Sequence, residues 1–442
     1  MENLSQMKFL LSYLSLYLLL LMSGKKTENE VLIINPRKQA NTILLKLDKV
    51  LNDSTIQLSW TKYPGEDFKS YKVYRSCEVL NNGVFSFAGK EVKVLTSPDS
   101  LTFTESAMPF ARNIDYMVLL YTDKPAGGSN QLTYVRPATY NQCSFNEAIA
   151  NVDKDYVYLY NRQSGEISLF NYSTNTEVVK TSLKTSIGYC TLGNFDGGVK
   201  NEMYVPTGDG WLYILDAESL GTKDKIYIGG EAVTSALAIN EKLFVSSSDR
   251  SYGGFYNNSL KVYDRRTKKV ISRAGKNNNT RLVYLEASNI EMIDVTTNLS
   301  PIDLAYYNFN TSGDLQSQKS DPYHGDYPLD VGLVKSFPDG SRIITATSGT
   351  VYSKNLIFEK SLAPRFGSTF SDFEFNSTGS IIYSAYKSQK KIEAIGYPSS
   401  AVLTTYGTKF NPFRIFRDGD QLISISAGQA PRNYFLIEKI NL

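Results

Sequence analysis

One histidine, His324, serves all 442 residues, and that scarcity removes whole classes of chemistry. No metal site built on two histidines is available. A serine–histidine–aspartate triad would have to be assembled around His324. Cysteine is nearly as scarce, at three residues: Cys77, Cys143 and Cys190. None forms a CxxC pair, so zinc-ribbon and thioredoxin-like chemistry are excluded. An odd count leaves a thiol over, and the spacing allows either three isolated thiols or one Cys143–Cys190 bridge. Excess charge is missing too. The 47 Lys and Arg face 44 Asp and Glu, a net of +3, which offers no basic footprint for nucleic acid. The sequence contains no GxSxG elbow, no GxxxxGK[ST] phosphate loop and no GxGxxG after a strand. Long Ala/Leu/Glu/Lys helical patterns are absent beyond the first thirty residues.

What the chain has instead is sheet material. There are 31 Tyr and 22 Phe, with many Thr, Val and Ile. Such side chains suit a pleated, half-buried surface. Ser, Asn and Gly supply the turns between. The composition predicts an all-β protein.

Residues 1–24, "MENLSQMKFLLSYLSLYLLLLMSG", read as a signal segment, and 25–38 as a linker. The apolar run from Phe9 to Met22 spans 14 residues. It is shorter than the ~20 residues a bilayer-spanning helix needs and fits a signal-peptide core. Met7–Lys8 makes a tidy start, with Lys8 as the positive flank. The stretch "LMSGKK" resembles the lipidation box of Bacteroidetes-type envelope lipoproteins, but Gly24 stands where the acylated cysteine belongs. Lipidation is therefore excluded as written. The expectation is an exported protein, in the periplasm, on the outer membrane surface or secreted, with any membrane association only through this N-terminal segment.

From 39 to 138 seven short strands alternate with turn signals such as Tyr63-Pro64-Gly65, Asn81-Asn82-Gly83 and Pro125-Ala126-Gly127-Gly128. "IQLSW" puts Ile56, Leu58 and Trp60 on one face; "YKVY" (Tyr71–Tyr74) and "DYMVLLYT" (Asp115–Thr122) follow. Seven strands at this spacing predict an immunoglobulin-like sandwich. The order of Trp60, Tyr-x-Val-Tyr and Asp-Tyr-x-Val resembles a fibronectin type III domain. That resemblance implies a core role for Trp60, a corner role for Tyr116, and a spacer or interaction module.

From 141 to 442 a different pattern repeats. Strand-like units ending "ISLFN", "LYILD", "LKVYD", "IEMID", "NLIFE", "IEAIG" and "YFLIE" close at residues 171, 216, 264, 294, 359, 396 and 438. The steps are 45, 48, 30, 65, 37 and 42 residues, near the ~40–45 of a four-stranded propeller blade. Companion strands recur in phase ("NEMYVPT", "EKLFVSSS", "SRIITATS", "GSIIYSAY", "DQLISISA"), as do polar turns ("YSTNT", "AESLG", "RRTKK", "YPSSA"). The region resembles the WD-repeat-like and YVTN-type β-propellers, although the WD dipeptide is absent. Seven repeats predict about seven four-stranded blades, with six or eight left open by the steps of 30 and 65. The segment from Cys143 to Ala150 is a candidate to complete the last blade.

Against that frame few residues suggest chemistry. Two tryptophans cannot supply the repeated docking motifs of quinone-cofactor propellers, and no cofactor is expected. "NFDGGVKNE" is similar to a calcium loop in its donors, Asn194, Asp196, Asn201 and Glu202, but lacks the DxDxDG order, and a plain Asp-Gly hairpin explains it equally. The widest interval holds "KSDPYHGDYPLD". There Asp321, Tyr323, His324, Asp326 and Tyr327 set aromatic faces beside carboxylates, as sugar stacking or a peptide contact requires. The alternative is a polar loop with its tyrosines packed on the rim.

The resulting expectation is a non-catalytic binding protein of the cell envelope whose propeller face recognises a protein or a glycan. Two readings stand beside it: a carboxylate-dependent, carbohydrate-active propeller enzyme, and a structural assembly subunit.

Overall fold

The computed structural model describes residues 43–442 except 53–54, 82–83, 107, 110, 112, 124–126, 137–140, 194–199, 230–231, 249–258, 286–289, 365–368 and 428–431. The signal segment, the linker, Gly24, Asn194 and Asp196 lie outside the described residues. The chain divides into two compact units, one of residues up to Glu78 with Phe87–Val135, the other of Val79–Ser86 with Arg136–Leu442.

Two antiparallel sheets build the first unit. One is Leu45–Asn52, Thr55–Trp60 and Thr102–Glu105. The other runs Val84–Leu95, Phe68–Asn81, Asn113–Thr122 and Gly127–Gly128, with Leu132–Val135 also paired to Asn113–Thr122. Period-2 alternation decides which face is covered. Ile56, Leu58 and Trp60 are buried on one strand, and Ile114, Tyr116, Val118 and Leu120 on another. Trp60 meets Tyr71 edge-on, with ring centres 5.6 Å apart, so the two sheets pack through these rings. The Tyr116 hydroxyl donates to Glu105, whose carboxylate also pairs with Arg75. One expectation is corrected: Gly127–Gly128 is not only turn but a short strand opposite Leu119 and Leu120.

The second unit contains, among the described residues, seven successive four-stranded antiparallel sheets. Blade 1 is Glu147–Asn151, Tyr156–Asn161, Glu166–Asn171 and Thr176–Ser182. Blades 2 to 6 span 191–227, 233–274, 280–320, 334–361 and 370–407. Blade 7 takes Pro412–Asp418, Gln421–Ala427 and Arg432–Asn441 from the C-terminal end, and its fourth strand, Asn141–Phe145, from the opposite end of the unit. The chain then passes through Asn146 directly into blade 1. Cys143–Ala150 thus does more than complete the last blade: it closes blade 7 and opens blade 1.

Burial explains why these sheets form a ring. Second strands are covered on both faces, as in Glu202–Pro206, where every residue is buried. Fourth strands face water; Leu315–Ser320 is exposed throughout. Along Tyr156–Asn161, Val157 and Leu159 pack with Phe435 and Ile425 of blade 7, whereas Tyr158 and Tyr160 pack with Met203 and Val205 of blade 2. An apolar cluster of this kind lies in each of the seven spaces between neighbouring blades. The disc is the geometry in which every two-faced sheet finds two partners.

The abrupt end of "LYILD" has a local cause. Asp216 Oδ1 accepts the N–H groups of Glu218 and Ser219 at 3.1 and 2.9 Å, and Leu220 N–H donates to the Asp216 carbonyl at 2.9 Å. Leu220 takes φ of 54°. Asn171 and Asp264 end their strands with the same side-chain-to-backbone turn, and Asn175, Lys268 and Ser400 take the matching positive φ.

Two of the seven repeat units are corrected. "IEMID" belongs to the second strand of blade 4, Ile290–Thr296, and "NLIFE" spans the turn into the fourth strand of blade 5, Phe358–Ser361. The true third strands there are Leu304–Phe309 and Thr350–Ser353. Third strands then end at Asn171, Asp216, Asp264, Phe309, Ser353, Gly396 and Asn441, so every step falls between 43 and 48 residues. Asp294 imitated a strand-ending aspartate, but the turn residue of blade 4 is Asn310, which accepts from Asp314 N–H at 2.8 Å.

The Cys143–Cys190 bridge is also corrected. All three cysteines are thiols. Cys143 packs between blades 7 and 1, and Cys190 between blades 1 and 2. Burial pushes the Cys143 thiol up to about 12, with Glu177 and Glu166 adding to it, and raises that of Cys190 further.

Closure depends on Phe435, whose ring meets Phe145 at 5.3 Å and Phe170 at 5.0 Å, both edge-on. Phe435→Ala is expected to lose about 3–5 kcal/mol in equilibrium denaturation, the range for a buried phenylalanine.

Candidate functional site

The predicted aromatic loop proves to be the connection from blade 4 to blade 5, residues 321–333. Tyr323 and Tyr327 fold inward and pack edge-on at 4.9 Å, and Tyr327 stacks on Phe358 at 3.8 Å with the planes 10° apart. The Tyr323 hydroxyl accepts Phe358 N–H at 3.3 Å. Both rings join Ile293 and Leu304 of blade 4 and Ile343 and Tyr352 of blade 5 in one apolar cluster. Asp321 is buried, accepts Tyr323 N–H at 2.9 Å, and is raised by that burial. Asp326 is exposed, and His324, 63% exposed, lies 3.7 Å from Asp303. The loop therefore brings the two tyrosines and Asp321 into packing between blades, and leaves His324 and Asp326 on the surface.

Of the candidate calcium donors, Asn201 is exposed, whereas Glu202 is buried. Its carboxylate accepts from the Tyr204 hydroxyl and lies 3.4 Å from Lys223 and 3.6 Å from Arg265. Among the described residues no group of three or more His, Cys, Asp or Glu could hold a metal ion.

Chemistry concentrates instead on the axis. A cavity of about 380 Å3 is lined by first strands or their approaches from blades 1 to 6, including Ala150, Tyr189, Arg281, Lys335, Ser336 and Glu374. Two buried cations near the axis, Lys335 in the cavity wall and Arg414 outside it, are fully engaged. Lys335 reaches Asp372 at 3.2 Å, Glu374 at 3.1 Å and the Ile415 carbonyl at 3.0 Å. Burial acts to lower this ammonium, but the two carboxylates overcome it and hold it above its ordinary value. Arg414, from blade 7, donates to Glu147 and to the carbonyls of Gly332, Ser371 and Phe413, all at 3.0–3.1 Å. These bonds tie blade 7 to blade 1, to blade 6 and to the connection from blade 4 to blade 5 through one guanidinium, the arrangement that makes a buried charge tolerable.

Tyr189 is set differently. Its N–H donates to the Thr234 carbonyl at 2.8 Å, and the next N–H, of Cys190, donates to the Tyr160 hydroxyl at 3.2 Å. The approach is this close because residue 188 is glycine: a Cβ there would sit 2.3 Å from the Thr234 oxygen. The guanidinium carbons of Arg162 and Arg281 lie 3.8 and 4.5 Å from the centre of the Tyr189 ring. Burial pushes the Tyr189 phenol up, while the two guanidiniums pull it back.

No protein-family model matches the chain, and no curated protein matches its sequence. Among solved structures of similar fold is the hydrazine synthase of Kuenenia stuttgartiensis, 11% identical, with a TM-score of 0.49 over 67% of this chain and 94% of that chain. A likeness of that degree carries nothing about activity. The propeller stands on its own ladders. Among the described residues no helix is long and apolar enough to cross a membrane.

Sequence reasoning passed over the axial residues. The signal was present: Glu147, Arg281, Lys335, Asp372 and Arg414 each fall among the first three residues of a first strand. First strands are the least regular of each repeat, so their common position was hidden until the blades were in register.

Two predictions follow from the buried polar groups. Gly188→Ala is expected to cost about 1–3 kcal/mol in denaturant unfolding, because a methyl cannot share space with the Thr234 carbonyl. Asp294, wholly buried between blades 3 and 4, accepts the Tyr307 hydroxyl at 3.0 Å, and burial raises it from 3.8 to about 7. The folded chain then keeps a proton that the unfolded chain gives up, so stability falls as pH rises from about 4 to 7. Asp294→Asn is expected to flatten that slope in pH-resolved thermal unfolding and to stabilise the fold at neutral pH by up to about 4 kcal/mol.

Proposed function

We propose that this is an exported, non-catalytic recognition protein of the cell envelope, in which the axial channel of the propeller takes part of a protein or glycan ligand. The observation that carries the reading is the channel itself. It is a concave space of about 380 Å3 that mixes rings (Tyr189, Tyr284, Phe375) with polar groups. Its acids favour binding over catalysis. Glu374 and Asp372 are both held by Lys335, and Glu147 by Arg414, so none of the three is placed as an unengaged general base or nucleophile.

The N-terminal unit is proposed as a fibronectin type III-like module. A three-stranded sheet faces a larger one, Trp60 lies in the core, and Tyr116 is anchored to Glu105, all of which suit a spacer or interaction module. The signal-like segment at 1–24 supports export.

The test is binding of the purified full chain to a glycan array and to solubilised envelope proteins, compared with Ser336→Trp. That substitution fills the cavity from a wall position whose hydroxyl, among the described residues, donates only to the adjacent Phe337 carbonyl. Binding is expected to fall at least about tenfold, a loss of more than ~1.4 kcal/mol, while His324→Ala leaves it unchanged. Ligand capture that survives a blocked channel overturns the proposal, and so does turnover of a bound glycan.

A further inference from the structure

We propose that Arg162, Arg281 and Tyr189 form an oxyanion-binding subsite at one end of the axial channel, suited to a carboxylate or a sulfate or phosphate ester. The inference deepens the recognition reading and rests on it only for the identity of the larger ligand.

The first argument is a donor count. A guanidinium offers five N–H donors and no acceptor. Arg414 shows what this fold does with a buried guanidinium, giving it a carboxylate and three carbonyls. Among the described residues Arg281 has a single protein acceptor, the Val331 carbonyl at 2.7 Å. Arg162 has none among the described residues, and its Nε is buried without a partner. Neither lies within 4.0 Å of a carboxylate oxygen among the described residues. Leaving the buried Arg162 Nε unsatisfied costs about 1–3 kcal/mol, and the remaining donors of the two forks are not buried, so a ligand can reach them.

The second argument is placement. Arg162 sits in the turn between the second and third strands of blade 1, Arg281 near the start of the first strand of blade 4, and Tyr189 just ahead of blade 2. In an antiparallel meander all three positions fall at the same end of the disc. Both guanidiniums contact one ring, so their carbons lie at most 8.3 Å apart, the sum of the two ring distances. Stacking on Tyr189 orients each fork without consuming its donors. The ring is fixed by the Thr234 and Tyr160 hydrogen bonds to residues 189 and 190. No protein group bonds the Tyr189 hydroxyl among the described residues.

The third argument is charge. The acids nearest this end are already taken: Glu147 by Arg414, and Asp330 Oδ1 by the Gly332 N–H at 2.8 Å. Three guanidiniums thus face two engaged carboxylates, leaving a positive balance. Farther down the channel Lys200 offsets the one net negative charge of the Lys335–Asp372–Glu374 group, so the positive balance at this end stands. A mobile anion with two or three oxygens in a plane or a tetrahedron matches paired forks better than a halide.

The experiment titrates the full chain with acetate, glucuronate, sulfate and inorganic phosphate against chloride at constant ionic strength, by calorimetry and thermal unfolding. At least one oxyanion is expected to bind and raise Tm where chloride does not. Preference for glucuronate points to an acidic sugar or an acidic side chain; preference for sulfate or phosphate points to an ester. Arg281→Met and Arg162→Met are each expected to weaken binding about tenfold or more. Arg162→Lys, which keeps charge but loses the fork, should fall between and covers the case in which the methionine variant does not fold. The subsite is overturned if no oxyanion binds above chloride, or if the variants bind as tightly as the parent. If anions bind but no macromolecular ligand is captured, the recognition reading fails and the subsite stands; if a ligand is captured equally by Arg281→Met, the reverse holds.

Discussion

A four-stranded sheet that is apolar on both faces cannot bury itself. Every second strand of this propeller carries that burden, with consecutive residues sent alternately to the neighbour on either side. Two flat layers would leave the outermost faces wet, and an open stack would leave two ends. A ring leaves neither. The cost falls on one seam, where the chain must rejoin itself. There Asn141–Phe145 supplies the outer strand of the last blade, so Arg432–Asn441 is not left as an open edge. Phe145, Phe170, Phe413 and Phe435 gather at that seam, a number of buried phenylalanines matched among the inter-blade clusters only by the four between blades 5 and 6.

Closing the ring also creates the axis. First strands converge there, and their polar positions are forced together whether or not they can satisfy one another. Lys335 and Arg414 are cross-braces: each ties one blade to carboxylates and carbonyls of others, and each would be expensive to leave alone. Arg281, also at the start of a first strand, has one carbonyl partner, and Arg162, in a turn beside it, has no side-chain acceptor among the described residues. The contrast in bonding is the ground on which the oxyanion subsite is proposed.

The loop from blade 4 to blade 5 shows how a tempting composition can serve packing. It is the longest connection between consecutive blades among the described residues, and its tyrosines invite a recognition role. The space between blades 4 and 5 is filled by these very rings, because the strands of blade 5 are short, four residues or fewer, and cannot cover the neighbouring face unaided. A loop that supplies missing apolar area is a structural element with the composition of a binding site.

Much of this was legible in the amino-acid order. The all-β class, the repeat near 45 residues and the polar turns after Asn171, Asp216 and Asp264 are consequences of local periodicity and side-chain-to-backbone bonding, which need no distant partner. Blades 4 and 5 were misread because "IEMID" alternates as well as a true third strand and ends in aspartate; only pairing with Leu304–Phe309 reveals its rank. The Cys143–Cys190 bridge was open on spacing alone and is closed by three-dimensional separation into different inter-blade spaces. The axial charges come from blades 1, 4, 5, 6 and 7, and the paired arginines over Tyr189 join blades 1, 2 and 4, with Arg162 and Arg281 more than a hundred positions apart. Their meeting is decided by ring closure, a tertiary event, since local sequence specifies what each blade must bury but not which charges the closed circle will bring face to face.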